Sequence, residues 1–126
     1  MARENANRDA TLPFRVRSRF FAPPDEFEGC FTTFYQLHLE AYDGGVVSDY
    51  LQPEWGNIRF FSGAQPSGTI HKSSVSGARC VVTGPSSLPL KFSLGTSRMW
   101  AIGFLPLGWA RFTRMDAANL ANVVAD

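Results

Sequence analysis

The chain has almost no surplus charge of either sign: twelve basic residues against eleven acidic ones leave a net charge of +1. A domain that grips DNA or RNA by itself draws much of its affinity from phosphate neutralisation and carries a basic stripe to do so. The composition shows no such footprint. Cysteine is equally sparse, with only Cys30 and Cys80, far apart and without a C-x-x-C pair. That excludes a disulfide framework and fits two free thiols in a cytoplasmic protein, although one bridge between them stays open. No apolar run approaches the roughly 20 residues needed to cross a bilayer. Met1–Thr11 is polar and lacks the apolar core of a signal peptide. The expected location is the cytoplasm, without a membrane partner.

What the chain does have is aromatic residues and turns. Eleven Phe, three Trp and three Tyr accompany eleven Gly and eight Pro in 126 residues. Bulky side chains favour pleated, half-buried surfaces, and frequent Gly and Pro suit short strands joined by turns. The length is that of one domain with one core. Residues 1–12 read as a flexible leader and 13–126 as the folded domain.

Period-two alternation runs through most of that domain. In Phe14–Phe21, residues Phe14, Val16, Ser18 and Phe20 share one face, and Arg15, Arg17 and Arg19 a wet one. In Cys30–Tyr42, residues Phe31, Thr33, Tyr35, Leu37, Leu39 and Ala41 share a face, opposite Cys30, Phe34, Gln36, His38, Glu40 and Tyr42. Asp43-Gly44-Gly45 then predicts a hairpin turn into Val46–Leu51. Asn57–Phe61, Arg79–Thr83 and the alternating Leu88, Leu90, Phe92 and Leu94 are further strands, and Met99–Phe104 reads as an interior strand. Ser62–Ser76, rich in Gly, Ser, Pro and Thr, is expected to contain a loop. Gly108–Phe112 predicts a helical turn. Asp116 as N-cap, with Leu120, Val123 and Val124 at helical spacing, predicts a second helix. It breaks off at Asp126 without a C-cap glycine, as an element that continues would.

The expected fold is therefore mostly β, a small barrel or sandwich with one or two short C-terminal helices. Particular runs narrow this further. Tyr50-Leu51-Gln52-Pro53-Glu54-Trp55-Gly56-Asn57-Ile58-Arg59-Phe60 is followed by Val82-Thr83-Gly84-Pro85. Then come Leu90-Lys91-Phe92-Ser93-Leu94-Gly95 and Gly103-Phe104-Leu105-Pro106-Leu107-Gly108, and finally Asp116, Leu120, Val123 and Val124. In order and spacing these resemble the N-terminal, cupin-like regulatory domain of AraC-type transcription regulators, over Phe14 to Asp126. Gln52-Pro53-Glu54-Trp55 stands where the commoner form has Pro-Asp-Gly-Cys. The resemblance implies an effector-sensing or dimerising domain, a homodimer, and DNA contact only through a separate C-terminal helix-turn-helix domain that these 126 residues lack. A freestanding cupin-type enzyme acting on a small organic substrate is the alternative, and a dimerisation module without ligand a third.

Candidate chemistry is thin. His38 and Glu40 share a strand face, as two metal ligands must, but His71 is the only other histidine and falls in the Gly/Ser-rich stretch. A structural role for His38 and no bound metal are expected. Gly84-Pro85-Ser86-Ser87 lacks the G-x-S-x-G elbow of a serine nucleophile, and turn chemistry accounts for it. Neither a catalytic residue nor a cofactor is expected. Ligand pockets are mostly apolar with a few placed polar groups. On that basis Trp55, Trp100, Arg59, His38 and Glu40 are the candidate ligand-binding residues. Trp55 stands out because a Pro/Gly-flanked corner is where loops carry function.

Overall fold

The computed structural model describes the backbone of residues 2–7 and 13–126 and the side chains of 13–126. Residues 1 and 8–12, part of the expected leader, lie outside the described residues. Ala2–Asn7, also assigned to that leader, forms a strand, β1, paired antiparallel with β2.

The chain is mostly β, in two antiparallel sheets that are not closed into a barrel. The first sheet has the order β1-β2-β3-β10-β5-β8-β11. Its members after β1 are β2 (Phe14–Phe21), β3 (Phe31–Ala41), β5 (Asn57–Gly63), β8 (Cys80–Thr83), β10 (Ser97–Phe104) and β11 (Val124–Ala125). The second sheet, β4-β9-β6-β7, is built from β4 (Val47–Leu51), β6 (Ser67–Ile70), β7 (Ser73–Ser76) and β9 (Leu90–Leu94). As its unbroken apolar run predicts, β10 lies inside the first sheet, between β3 and β5.

Register assigns the faces. Val16 pairs with Leu39, and Leu39 with Ser97, so these stand in one row on the inner face. Leu39, Ala41, Met99 and Ala101 are buried, whereas Arg17, Arg19 and Arg98 are exposed outside. The alternation expected for β2 is therefore observed, and that for β3 from Thr33 to Ala41. At its start a register shift sets Phe31 opposite Phe104 and 5.0 Å from Phe34, on the face expected for Phe34, and Cys30, expected on the outer face, is buried. At one side the sandwich is closed by a core of Ile70, Ala78, Val81, Leu90 and Val124, with Leu51, Phe61 and Val75 packed against it. There the Ser73 hydroxyl donates to the Val124 carbonyl at 2.6 Å and accepts from its N–H at 2.9 Å, joining β7 to β11 across the two sheets. At the other side the first sheet ends in β1 and the second in β4; these edges are not hydrogen-bonded to each other, and the sandwich stays open.

Two further expectations require correction. Asp43-Gly44-Gly45 does turn with positive φ, at 57° for Asp43 and 67° for Gly44. It does not close a hairpin, however: β4 pairs with β9 in the opposite sheet, so the turn carries the chain from one layer to the other. The Ser62–Ser76 stretch contains the expected loop, at residues 64–66, and is otherwise mostly strand. It completes β5 and forms the β6–β7 hairpin, whose two-residue turn holds His71 at φ 50°. In Asn57–Phe61 the apolar Ile58 and Phe60 face outward, while Asn57 and Arg59 are buried at 4% exposure each.

The other correction concerns the second C-terminal helix. Asp116 does cap as expected, accepting from the Ala118 N–H at 2.9 Å. Only turns follow, closed by Asn119 N–H to Asp116 and Leu120 N–H to Ala117. Asn122 then enters the left-handed region at φ 55°, where its side-chain oxygen accepts from the N–H groups of Ser87 and Leu88. Val124 and Ala125 pair with Thr83 and Val82 as β11. A sheet edge satisfies these backbone groups in place of a helix.

At the C-terminal end of the described residues one short helical segment remains, with an α-helical start at Pro106–Gly108 (α1) and π-type geometry through Trp109–Thr113. It covers the helical turn expected at Gly108–Phe112. Its aromatic side chains pack on the end of β3 and β10: Phe31 meets Phe112 at 5.3 Å and Phe104 at 5.4 Å, and Phe104 meets Trp109 edge-on at 5.8 Å. Gly108 allows this approach, because a Cβ there would fall 1.8 Å from the Cys30 carbonyl oxygen.

Candidate functional site: an apolar cavity with one buried guanidinium

Between the two sheets lies a cavity of about 210 Å³. Inward residues of the first sheet (Tyr35, Leu37, Leu39, Phe61, Met99) and of the second (Val47, Leu51, Leu90, Phe92, Leu94) line it. Among the described residues its polar lining is Asp49, Ser67 and Arg59, with the Tyr35 hydroxyl near the last. Phe14 and Val16 of β2 and Val47 and Asp49 of β4 flank its open side, where Asp49 is exposed.

Arg59 is the unusual member, a guanidinium 4% exposed on an otherwise apolar wall. Its Nε–H donates to the Tyr35 hydroxyl at 3.2 Å, and its Nη1 donates to the Thr83 hydroxyl at 3.0 Å. Its Nη2 forms an ion pair with the Glu54 carboxylate. Burial works against the Arg59 charge, but the Tyr35 oxygen and the Glu54 carboxylate outweigh it and hold its pKa above the ordinary arginine value. Burial also raises the Tyr35 phenol above its usual value of 10.0, partly opposed by the Arg59 charge. The Tyr35 hydroxyl in turn donates to Asn57 Oδ1 at 3.4 Å, and the Asn57 amide donates to the Trp55 carbonyl at 3.0 Å. Glu54 is tied from the other side: its N–H donates to the Ser86 hydroxyl at 3.0 Å and its carbonyl accepts from the Ser86 N–H at 2.8 Å. The loop before β5 is thus fastened to the cavity wall through one arginine.

Of the five candidate residues, only Arg59 lines the cavity. His38, Glu40 and Trp100 stand together on the outer face of the first sheet, His38 as the register partner of both Arg17 and Arg98. Trp55 is 52% exposed at the rim of a separate cleft with Pro85, Phe104, Trp109 and Met115. There Gly56 lets the Trp109 ring lie against the backbone, since a Cβ would meet that ring at 2.4 Å. The structure therefore splits the candidates among three surfaces. Tyr35, an aromatic residue of the kind that lines such pockets, joins the Arg59 network with Glu54 and Thr83, which were not singled out from the sequence as site residues. Their signal was weak because Thr83 reaches Arg59 from a distant strand, β8, and Glu54 from the loop before β5.

Among the described residues, no three His, Cys, Asp or Glu side chains gather as metal ligands would. Both cysteines are free thiols, Cys30 buried and Cys80 partly so. Burial and the nearby Asp126 raise the Cys80 pKa above its usual value of 9.0, which disfavours the reactive thiolate. Among the described residues no helix is long and apolar enough to cross a membrane. No protein-family model matches the chain, and no curated protein is significantly similar to it.

Proposed function

We propose that this chain is the effector-binding domain of an AraC-type transcription regulator, and that its effector is a small, largely apolar molecule held between the two sheets. The observation that carries this reading is the inter-sheet cavity: apolar walls from both sheets, one open side and a single buried guanidinium. Small-molecule sites have this composition, apolar lining with few polar groups to set orientation. An apolar cavity of roughly 150 Å³ already suffices to bind benzene, so 210 Å³ accommodates a compound of modest size. The ordered motifs from Tyr50 to Val124 supply the regulator part of the reading.

The wall chemistry limits the ligand. The Arg59 charge is already matched by Glu54, so an anionic effector would have to displace that carboxylate. A neutral molecule with one carbonyl or hydroxyl oxygen needs no displacement, because the guanidinium has five donors and three of them are engaged. On this reading the chain is a cytoplasmic binding domain and not an enzyme. It acts in a homodimer whose DNA contact lies in a separate domain, and effector binding favours one of two arrangements of that assembly.

Thermal unfolding in the presence of small neutral aromatic and aliphatic alcohols and ketones tests the reading. A subset is expected to raise the midpoint saturably, as any ligand specific for the folded state does. Leu37→Trp, which fills the cavity, is expected to abolish the rise. Equal stabilisation of the filled variant, or none by any compound, contradicts it.

A further inference from the structure

The outer face of the first sheet carries a second feature that the cavity does not use. Reading across the strands, one row of register partners is Ala6, Arg17, His38, Arg98 and Ser62. Cross-strand neighbours in such a row stand about 5 Å apart, close enough for like charges to repel. This row holds two arginines and a histidine, and none of its register positions is acidic. The flanking rows differ. In one, Arg15 has Glu40 as its register partner, and in the other Arg19 has Glu4. Positive charge is therefore concentrated on Arg17 and Arg98, both exposed, on either side of His38. Together with Arg19 and Gln36 these residues line one groove. Among the described residues the ion pair is Arg59–Glu54, on the opposite face.

The groove adjoins an aromatic shelf. The next row continues from Arg19 and Gln36 to Trp100 and Phe60, which are 43% and 45% exposed. Trp100 and Arg98 project from the same face of β10, two residues apart. The charge does not extend along the sheet: beyond this row the outer positions are Phe21, Phe34, Ile102 and Ile58. The site is thus the size of one anionic group beside one planar ring, and it is not a track for a polymer backbone.

We propose that this outer groove binds a free mononucleotide, its phosphate held by Arg17 and Arg98 with His38 between them and Gln36 in the next row, and its base resting on Trp100. Guanidinium groups match phosphate oxygens in two-point contacts, and an exposed indole stacks on a base without demanding its identity. The site is independent of the inter-sheet cavity.

The test titrates the purified chain at low salt with adenosine monophosphate, adenosine and inorganic phosphate, read by tryptophan fluorescence and calorimetry. The monophosphate is expected to bind saturably, with each fragment weaker by about tenfold or more, as when one of two contacts is removed. The double variant Arg17→Ala/Arg98→Ala is expected to weaken the monophosphate by about tenfold or more with an unchanged melting midpoint, since both side chains are exposed. Trp100→Ala is expected to weaken the monophosphate while leaving phosphate binding unchanged. No saturable binding of the monophosphate below about 10 mM, well beyond the affinity scale of a specific site, overturns the proposal. So does unaltered binding by the double variant, or tighter binding of a single-stranded oligonucleotide at equal phosphate concentration.

Discussion

Replacing Glu54 by Gln and Arg59 by Met removes the same ion pair from its two ends, and the two changes have unequal costs. Arg59 is 4% exposed and Glu54 sits at the rim, its side chain 37% exposed. Glu54→Gln keeps the shape and an acceptor oxygen but leaves a buried cation without its counter-charge. Breaking a buried pair from one end costs roughly 3–5 kcal/mol. Because water reaches the Glu54 end and the Gln oxygen still accepts, the expected loss is lower, about 1–3 kcal/mol. Arg59→Met removes the charge itself and leaves a flexible apolar side chain on an apolar wall. Tyr35 keeps Asn57 as a partner, and the Glu54 carboxylate can turn to water. Replacing buried ionic groups by apolar ones of similar volume is often neutral, so this variant is expected within about 1 kcal/mol of the parent. The double variant should be no less stable than Arg59→Met alone, since the penalty of Glu54→Gln requires the charge. Urea unfolding of the four proteins measures all three quantities. An Arg59→Met loss larger than that of Glu54→Gln, or additive losses in the double variant, would refute the reasoning.

Three further outcomes follow from the same structure. Leu39→Ala is expected to cost about 2–5 kcal/mol as a core truncation, and Glu40→Ala, on the outer face, less than about 0.5 kcal/mol; urea unfolding checks both, and reversed values would mean a register shifted by one residue. Tyr35 has a raised folded pKa, so its contribution is fully present below its unfolded value of 10.0 and is lost as pH rises from there through the folded value. Melting midpoints between pH 9 and 11 should therefore fall more steeply for the parent than for Tyr35→Phe (about pH 10 being the ordinary tyrosine range). In a thiol-labelling assay, Cys80 should react slowly in the native protein and Cys30, 1% exposed, only on unfolding; Cys30 labelling at the Cys80 rate would contradict its burial.

Strand content was legible wherever one face is wet. Phe14–Phe21 and β3 from Thr33 on alternate cleanly because arginine, glutamate and histidine mark the outside, whereas the register shift at Phe31 has no local signal. Asn57–Phe61 reads as a strand but gives no face: the sheet buries Asn57 and Arg59 and exposes Phe60. There an internal counter-ion and a hydroxyl pair reverse the usual rule, and neither is visible in a five-residue window. The Asp43–Gly45 turn was legible as a turn, but local φ preferences do not specify which strand the next one joins. At Asp116 the cap was read correctly and the element was not. The competing interactions are long-range, Asn122 to the Ser87 segment and β11 to β8. For the site, Arg59 was identifiable as a candidate, whereas the cavity beside it exists only once β4 has crossed to the second sheet.

A crystal structure of the chain with its most stabilising neutral compound decides whether the space between the sheets is a ligand site. Density is expected between the sheets in contact with Leu37, Phe92 and Met99, with the ligand's oxygen at Arg59. Density confined to the Trp55–Trp109 cleft or to the outer face of the first sheet, with the inter-sheet cavity unfilled, would contradict an inter-sheet ligand site.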